Sequence, residues 1–260
     1  MSELSNGSAK KTTLSKREDG KPIAALTAYD YPTARLLDAA GIDVLLVGDS
    51  LGMVVLGMED TIDVTLVDMV RHTQAVARGV KRAFIIADLP AGTYDSPEQA
   101  STSAKQLIAA GAHAVKLEGG AIIEEQIRAI IDEGVTVVGH LGMLPQHVRE
   151  EGRYRKKGMS PEGADRIASD ARLLENLGVA AIVLESVRAA VATSITEEAT
   201  IPTIGIGSGE NCDGQIRVIH DIIGLFPWFV PPFAEQFADL SAAVSDSARQ
   251  YIESIRTENS

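Results

Sequence analysis

Acidic side chains recur at the ends of short apolar runs in this sequence. The four acids are Asp49, Asp88, Glu118 and Glu185. If the runs are neighbouring parallel strands, these carboxylates converge on one pocket, where they would repel one another and raise each other's pKa values. A divalent cation removes that conflict. One acid alone could equally begin a turn or cap a helix, and it is the recurrence that favours a site.

The ligands available for such a cation are oxygens. The sequence has no cysteine cluster and no pair of histidines at zinc spacing. Carboxylate oxygens are the ligands that Mg²⁺ prefers in proteins, and Mg²⁺ keeps water-filled positions that two adjacent substrate oxygens can occupy. The pattern therefore favours Mg²⁺ over Zn²⁺.

Two basic side chains occupy similar positions. Lys116 comes two residues before Glu118, so alternation along a strand puts both side chains on one face. There it could bind the carboxylate of an anionic substrate, or form a salt bridge with one of the acids. His140 ends a fifth apolar run and could donate to a developing oxyanion or carry a proton. The alternative for His140 is a core histidine bound to a backbone carbonyl.

Glu185 follows the strongly apolar run AIVL at 181–184. A carboxylate at the mouth of an apolar strand is partly desolvated, and this suits it to act as a general base. The alternative is an acid that begins the next helix, where the helix dipole favours negative charge.

The remaining polar features indicate structural roles. The other histidines, which are His72, His113, His147 and His220, fall in predicted helices or loops. The segment GIGSG at 205–209 leads into a predicted helix and resembles an anion-binding turn. It lacks the full dinucleotide fingerprint and the acid about 20 residues later, so a nicotinamide site is not expected.

Eight apolar runs alternate with amphipathic stretches and would position these side chains. The predicted strands lie at 23–27, 44–47, 84–87, 114–117, 136–139, 181–184, 203–206 and 221–226. The predicted helices lie at 31–40, 66–78, 97–110, 121–133, 161–177, 187–199, 212–220 and 233–255. Glycine follows several of the helices, as a left-handed C-cap, at Gly41, Gly79, Gly111, Gly134 and Gly178.

This alternation predicts an α/β fold, a single-domain (β/α)8 TIM barrel with a short N-terminal helix near 13–18 and a C-terminal helix. A disordered tail is expected at 1–12, and the barrel catalytic domain at 13–260. A doubly wound open sheet is the alternative, but it gives no reason for polar residues at nearly every strand end.

Composition excludes several classes of protein. The net charge of −12 argues against a nucleic-acid partner, because phosphate contacts need a basic face. No run of 18 uncharged apolar residues is present, so no membrane partner is expected. The polar N-terminus lacks a secretory signal, and the single cysteine, Cys212, fits a reducing compartment. A cytoplasmic enzyme is expected.

Several longer motifs resemble one family. They are LTAYDYPTA at 26–34, LLVGDSLGMVVLG at 45–57, DMVRHTQAVARG at 68–79, ADLPAGTY at 87–94, AVKLEGG at 114–120, VVGHLGMLPQ at 137–146, VLES at 183–186 and IPTIGIGSGENCDGQIRVIHDIIG at 201–224. In this order they resemble the ketopantoate hydroxymethyltransferase family, and VGDSLGM and KLEGG are its specific motifs. The resemblance covers about residues 20–240.

The resemblance implies a metal and substrate site. Asp49 and Asp88 would bind one Mg²⁺ per subunit, and Glu118 would complete the site directly or through water. Ser50 and Lys116, together with Asp49 and Asp88, would bind an α-keto acid.

The resemblance also implies the reaction. The family transfers a hydroxymethyl group from the co-substrate 5,10-methylenetetrahydrofolate to 3-methyl-2-oxobutanoate through a Mg²⁺-stabilised enolate. The product is 2-dehydropantoate, on the route to pantothenate and coenzyme A. Glu185 would accept the C3 proton, and His140 would assist the oxygen chemistry of the one-carbon unit. Members form large homo-oligomers, often decamers.

The segment EEGRYRKKGMSPEG at 150–163 departs from the family's usual loop, which has a Gly-Gly-aromatic pattern. Its basic residues are either a solvated loop or a docking site for an anionic tail, and the hypothesis is that they attract the glutamate tail of folate.

Two competing functions remain. One is a carbon–carbon lyase or mutase of the related barrel group, which would commonly need a catalytic cysteine. The other is a barrel that binds a ligand without catalysis.

Overall fold

Eight parallel strands close into a barrel in the computed structural model, which describes residues 14–16 and 20–257. Each strand pairs with the next along the chain, and the last strand pairs with the first. The strands are β1 (Ile23–Thr27), β2 (Val44–Val47), β3 (Phe84–Asp88), β4 (Ala114–Glu118), β5 (Val137–Gly142), β6 (Ala181–Glu185), β7 (Thr203–Ile206) and β8 (Gly214–Arg217). The predicted (β/α)8 barrel is confirmed, while the tail expected at 1–12 lies outside the described residues.

Helices surround the strands. They are α1 (Tyr31–Ala40), α2 (Leu51–Val54), α3 (Leu66–Gly79), α4 (Pro97–Ala109), α5 (Glu124–Asp132), α6 (Val148–Glu151), α7 (Pro161–Leu177), α8 (Ala189–Glu198), α9 (Ile219–Ile222) and α10 (Leu240–Thr257). None of these described helices has the length and apolar character needed to cross a lipid bilayer.

Local sequence signals fix the helix ends. The Asp30 carboxylate accepts a hydrogen bond from the Thr33 amide at the start of α1, and the Ser160 hydroxyl accepts one from the Gly163 amide in α7. At its C-terminal end, α1 is followed by Gly41 with φ 98°, in the left-handed region that favours glycine. The two N-caps begin α1 and α7, and Gly41 ends α1 before β2.

Alternation along the strands divides the apolar residues into two layers. One layer fills the space between strands and helices, and it includes Val115 and Leu117 of β4. The other fills the barrel interior and is formed by Ile23, Ala25, Val44, Leu46, Ile86, Ala114, Val138, Ala181, Val183, Ile204 and Ile216. Lys116 and Glu118 alternate with the outward-facing pair, so both point inward above this apolar floor, as predicted.

Strand register places the polar residues side by side. Asp88 is the Cα partner of Lys116 across β3 and β4. Glu118 is the partner of His140 across β4 and β5. Because parallel strands end at the same edge, this register brings acids and bases together at the C-terminal mouth of the barrel.

The predicted eighth strand was wrong. The strand is Gly214–Arg217, which lies inside the stretch predicted as a helix, and Ile219–Ile222 is helical where a strand was expected. Barrel closure decides this assignment, because β8 pairs with both β7 and β1. Gly214 permits the pairing, since a Cβ atom there would lie 2.7 Å from the Ile23 carbonyl oxygen.

The final helix begins later than the predicted 233. Its start is Leu240, because the backbone before it forms other hydrogen bonds: the Phe237 amide donates to the Ile222 carbonyl at 2.7 Å.

Two one-turn helices, α2 and α6, were not predicted. The predicted helix at 121–133 begins as a 3-10 turn, and the predicted helix at 187–199 begins at Ala189. Residues 14–16, the described part of the short helix expected near 13–18, have no regular structure.

Candidate active site

A cavity opens at the C-terminal end of the barrel, and it contains every residue predicted to act. Asp49, Ser50, Asp88, Lys116, Glu118, His140 and Glu185 all line it. Asp88, Glu118 and Glu185 end their strands, Asp49 and Ser50 follow β2, and Lys116 and His140 lie two residues before the ends of β4 and β5. The structure therefore brings the predicted set together, with most of these side chains buried.

Lys116 and Asp88 form a buried ion pair at the centre of the cavity. The Lys116 ammonium lies 3.1 Å from Asp88 Oδ1, and the other Asp88 oxygen accepts a hydrogen bond of 3.1 Å from the Asp49 amide. Burial opposes a charged lysine, yet the carboxylates of Asp88, Glu118 and Asp49 outweigh burial and raise the pKa of Lys116. Lys116 is thus a fixed cation in the cavity.

The carboxylates still exceed the positive charge beside them. Burial raises the pKa of Asp49 well above its usual value, and the negative charges of Asp88 and Glu118 raise it further. Burial also raises the pKa of Asp88, although Lys116 opposes this. The cavity would accept additional positive charge near Asp49 and Asp88.

His140 connects the inner acids to Glu185. Its Nδ1 atom lies 3.2 Å from the Lys116 ammonium and 3.5 Å from Glu118 Oε1, while Nε2 lies 3.3 Å from Glu185 Oε2. Burial and Lys116 lower the pKa of His140, but Glu118 and Glu185 outweigh them and raise it to about 9. The ring faces side chains, so the alternative of a core histidine bound to a backbone carbonyl was wrong.

Glu185 stands apart from the other acids. Its side chain is 15 % exposed, whereas the Glu118 side chain in the network is 1 % exposed. It contacts the network through His140 alone among the ion pairs of the described residues. A carboxylate with one charged neighbour and an open side is free to meet a substrate.

One residue of the site, Gln146, was missed in the sequence. Gln146 is buried on a 3-10 turn after β5, and its side-chain amide donates to Asp49 Oδ2 at 2.7 Å and to the Leu89 carbonyl at 3.0 Å. Its backbone amide donates to Glu118 Oε2 at 3.1 Å, and its side-chain oxygen accepts from the Tyr94 hydroxyl. Gln146 therefore orients two of the cavity's acids, and the only signal was its place in LGMLPQ.

Ser50 lies at the edge of this network. Its hydroxyl is 2.9 Å from the hydroxyl of Tyr29, a fully buried residue after β1. The contact holds the Ser50 side chain beside Asp49 at the cavity wall. Burial raises the pKa of the Tyr29 phenol, which keeps that hydroxyl neutral.

The oxygen donors fit a magnesium ion that keeps several of its own waters. No three His, Cys, Asp or Glu side chains within residues 14–16 and 20–257 are arranged to hold a metal ion by themselves. Asp49 and Asp88 are adjacent, however, and Mg²⁺ is usually bound by one or two carboxylates, with water and substrate completing its shell. The buried Glu118 Oε1 accepts no hydrogen bond within the described residues, and its ion-pair partner, His140 Nδ1, lies 3.5 Å away, so the oxygen can still accept from a metal-bound water.

Three of the four histidines interpreted as structural contact backbone or surface groups, and the fourth, His220, packs against the Tyr29 ring. His72 Nδ1 lies 2.5 Å from the Tyr29 carbonyl oxygen, and His113 Nδ1 accepts from the Ile85 amide. His147 pairs with the nearby Glu150. In GIGSG, the Ser208 hydroxyl donates to the Leu184 carbonyl at 2.7 Å, and the segment leads to β8 rather than to a helix.

Cys212 does not lie at the cavity. It is buried between β7 and β8 against Gly205, and burial raises the pKa of its thiol. The cysteine-dependent lyase or mutase chemistry considered for the sequence therefore has no thiol to use in this part of the fold.

Comparisons with known proteins identify the family of this chain. A family model described as ketopantoate hydroxymethyltransferase matches residues 9–259. The 3-methyl-2-oxobutanoate hydroxymethyltransferase of Thermoanaerobacter sp. (strain X514) is 52% identical over 242 residues, which are 92% of this chain and 88% of that protein. The protein of the same name from Ignicoccus hospitalis is 48% identical over 245 residues, 94% of this chain and 93% of that protein.

The same fold also occurs in a solved structure of much lower sequence identity. The crystal structure of 2,3-dimethylmalate lyase matches 94% of this chain and 85% of that chain with a TM-score of 0.59 and 18% identity. At that identity the likeness concerns the fold alone. The family match and the close relatives decide the assignment, and the chain belongs to the ketopantoate hydroxymethyltransferase family.

Proposed function

We propose that this protein transfers a hydroxymethyl group from 5,10-methylenetetrahydrofolate to 3-methyl-2-oxobutanoate and forms 2-dehydropantoate, for pantothenate and coenzyme A synthesis. Family membership and the name shared by its close relatives support the keto acid. The observation that carries the chemistry is the separation of Glu185 from a buried cluster of acids with Lys116 at its centre. Such a site can hold an anion on one side and remove its proton on the other.

We propose that Asp49 and Asp88 hold one Mg²⁺ per subunit, with Glu118 contacting it through water. Their surplus negative charge supports this arrangement, and so does the Glu118 oxygen, which accepts no hydrogen bond from the described residues. When bound, Mg²⁺ would act as a Lewis acid that makes the neighbouring carbon of a keto acid easier to deprotonate. Ser50 and Lys116 bind the substrate carboxylate and keto group.

The protons of the proposed reaction balance, and the C3 proton passes through residues of the chain. Glu185 takes the C3 proton, and the enolate carbon forms a bond to the one-carbon unit of the donor. Water supplies the oxygen, and its two protons end on the two donor nitrogens that lose the carbon. His140, whose pKa is about 9, can donate the proton that the new hydroxyl oxygen needs. Glu185 then returns its proton through His140, which lies 3.3 Å away.

Incubation of the purified protein with both substrates and Mg²⁺ tests the proposal directly. We expect 2-dehydropantoate and tetrahydrofolate in equal amounts, measured by NMR and absorbance. Replacing 3-methyl-2-oxobutanoate by its isomer 2-oxopentanoate is a control for the branched carbon. A protein that consumes neither substrate under these conditions would contradict the proposed function.

Gln146→Leu should weaken Mg²⁺ binding. Leucine has a similar volume but removes the amide that donates to Asp49 at 2.7 Å. Loss of a group that orients a metal ligand typically costs about 10- to 100-fold in affinity. Calorimetric titration with Mg²⁺ measures the change. Tyr94→Phe, which removes only the hydroxyl on the far side of Gln146, should have a smaller effect; equal affinities in Gln146→Leu and the native protein would refute this role.

Neutralising the basic segment should weaken binding of a polyglutamylated donor. Arg153, Arg155 and Lys156 are exposed, whereas Lys157 pairs with Glu151, and Tyr154 between them lines the cavity. We expect changing all four cations to glutamine to raise the KM for the pentaglutamyl donor roughly tenfold, since each exposed pair contributes at most about 1 kcal/mol. The monoglutamyl donor is the matched control. An unchanged KM for the pentaglutamyl form would rule out this role.

We further propose that the protein is a cytoplasmic homo-oligomer, a decamer as in many family members. The C-terminal helix supports association, because none of its residues is buried and Val244, Tyr251, Ile252 and Ile255 are exposed. Apolar side chains along one helix are typical of a surface covered by another subunit. Light scattering after size exclusion measures the number of subunits, and a monomer at micromolar concentration would contradict the proposal.

A further inference from the structure

The cavity has an outer part that the proposed keto-acid site does not use. Phe226, Phe229 and Phe233 line this part, and Phe226 contacts Trp228 edge-on with ring centroids 5.2 Å apart. Of the 5 phenylalanines and the 1 tryptophan in the chain, only Phe84 lies outside positions 226–237. The segment 225–233, which we name the aromatic strap, therefore concentrates aromatic surface at the mouth of the barrel.

A buried acid lines the same cavity. Asp221 is 6 % exposed and lines the cavity, and among the described residues no hydrogen bond or ion pair reaches its carboxylate. Burial raises its pKa to about 6, with Arg217 opposing the effect. Buried carboxylates ordinarily have donors as partners, so an unpartnered one at a cavity wall indicates a ligand that supplies them.

Arg217 completes this outer site. Its guanidinium lies 5.6 Å from the centre of the Phe233 ring and donates to the Ile216 carbonyl at 2.7 Å, which fixes its position at the cavity wall. Arg217 is the last residue of β8, and Asp221 lies in α9, the one-turn helix that follows. One acceptor, one cation and aromatic walls thus occupy a single side of the mouth.

This combination selects a flat heteroaromatic ring. A small aliphatic keto acid has no adjacent N–H donors for Asp221 and no ring to stack on phenylalanine. A fused ring with an amino group beside a ring N–H offers two donors to one carboxylate, and a carbonyl on the same ring can accept from Arg217. The opposite faces of such a ring would contact the aromatic strap.

We propose that Asp221, Arg217 and the aromatic strap form the binding site for the 2-amino-4-oxo heteroaromatic ring of the one-carbon donor. The inference rests on the proposed function, because it assigns a position to that donor. This ring site is compatible with binding of the donor's anionic tail by the basic segment. Tyr154 of that segment lines the same cavity and would lie between the ring and the tail.

Trp228 can report binding through Phe226 of the cavity wall, because it is the only tryptophan in the chain and its ring centroid lies 5.2 Å from that of Phe226. The test is a titration of the purified full-length protein with tetrahydrofolate, followed by tryptophan fluorescence, with calorimetry as a second measurement. Native protein should show saturable quenching. Asp221→Asn should weaken binding about 10- to 100-fold, as expected for loss of a charged acceptor. Phe229→Ala should weaken it about tenfold, as expected for loss of one stacking ring.

The matched control is Glu235→Gln, an exposed acid near the strap that should bind tetrahydrofolate like the native protein. Asparagine at position 221 removes a charge that burial disfavours, so thermal unfolding near neutral pH should show that Asp221→Asn is folded. Tetrahydrofolate binding by Asp221→Asn equal to that of native protein would overturn the proposal. So would fluorescence that changes with protein concentration but not with tetrahydrofolate, which would make the strap a subunit contact.

C3 deuterium exchange in 3-methyl-2-oxobutanoate, measured with Mg²⁺ and without folate, separates this inference from the proposed function. The loss of tetrahydrofolate affinity in Asp221→Asn should exceed any loss of exchange at least tenfold. A protein that exchanges the keto acid but whose strap variants bind tetrahydrofolate normally would refute the ring site alone. A native protein that neither exchanges nor forms product would refute the proposed function itself.

Discussion

Glu185→Gln should abolish C3 deuterium exchange in 3-methyl-2-oxobutanoate while leaving the keto acid bound. Glutamine keeps the shape of the side chain but cannot accept a proton. Loss of a positioned general base typically costs about 10²- to 10⁴-fold in rate. The substitution leaves the Lys116–Asp88 ion pair in place, because Glu185 reaches the network only through His140. We therefore expect a rate defect with little change in keto-acid affinity.

Proton NMR in deuterated buffer with Mg²⁺, and without folate, measures this exchange. Glu210→Gln is the matched control, because Glu210 is an exposed acid that follows β7 at the same end of the barrel. It should exchange at the native rate. Exchange that persists in Glu185→Gln, or that is absent from a native protein active in the full reaction, would contradict the assignment of Glu185 as the base.

Seven of the eight strands could be predicted because each is a local apolar run with clear ends. β6 illustrates this: Ala181–Glu185 follows a helix that ends in Gly178 with φ 92°. A left-handed glycine and a buried apolar run are both visible within a few residues of sequence. Strands of this kind are determined locally.

β8 could not be predicted in the same way. Its sequence is GQIR, with polar side chains at two of four positions, and its burial alternates. What makes it a strand is pairing with β1, whose Ile23 lies far away in sequence but opposite Gly214. Closure of the barrel is a long-range constraint that a window of neighbouring residues does not contain.

The candidate site also has a part that could be predicted from the sequence and a part that could not. Convergence of acids at strand ends follows from parallel topology, so Asp49, Asp88 and Glu118 could be predicted together. The contact of His140 with Glu185 depends on the directions of two side chains from adjacent strands, which strand periodicity leaves open. Gln146 was missed because it acts from a turn whose backbone and side chain both donate to the acids.

Asp49→Asn should have opposite effects on metal binding and on stability. Mg²⁺ affinity should fall at least about 100-fold, because loss of a direct ligand exceeds the loss of an outer partner. The metal-free protein should unfold at a higher temperature, since asparagine removes a charge disfavoured by burial and by Asp88 and Glu118. Each kcal/mol gained should raise Tm by roughly 2–4 °C for a chain of this size.

Calorimetric Mg²⁺ titration and thermal unfolding in chelator measure the two effects. Asp132→Asn, an exposed acid at the end of α5, is the control and should change neither. Asparagine keeps an oxygen that can accept the hydrogen bond from Gln146, so the substitution removes only the charge. A lower Tm would therefore mean that the Asp49 charge stabilises the metal-free fold, which would contradict repulsion among the acids. Unchanged Mg²⁺ affinity would remove Asp49 from the metal site. A lower Mg²⁺ affinity together with a higher Tm of the metal-free protein is expected only if the Asp49 carboxylate binds the metal ion and destabilises the metal-free fold.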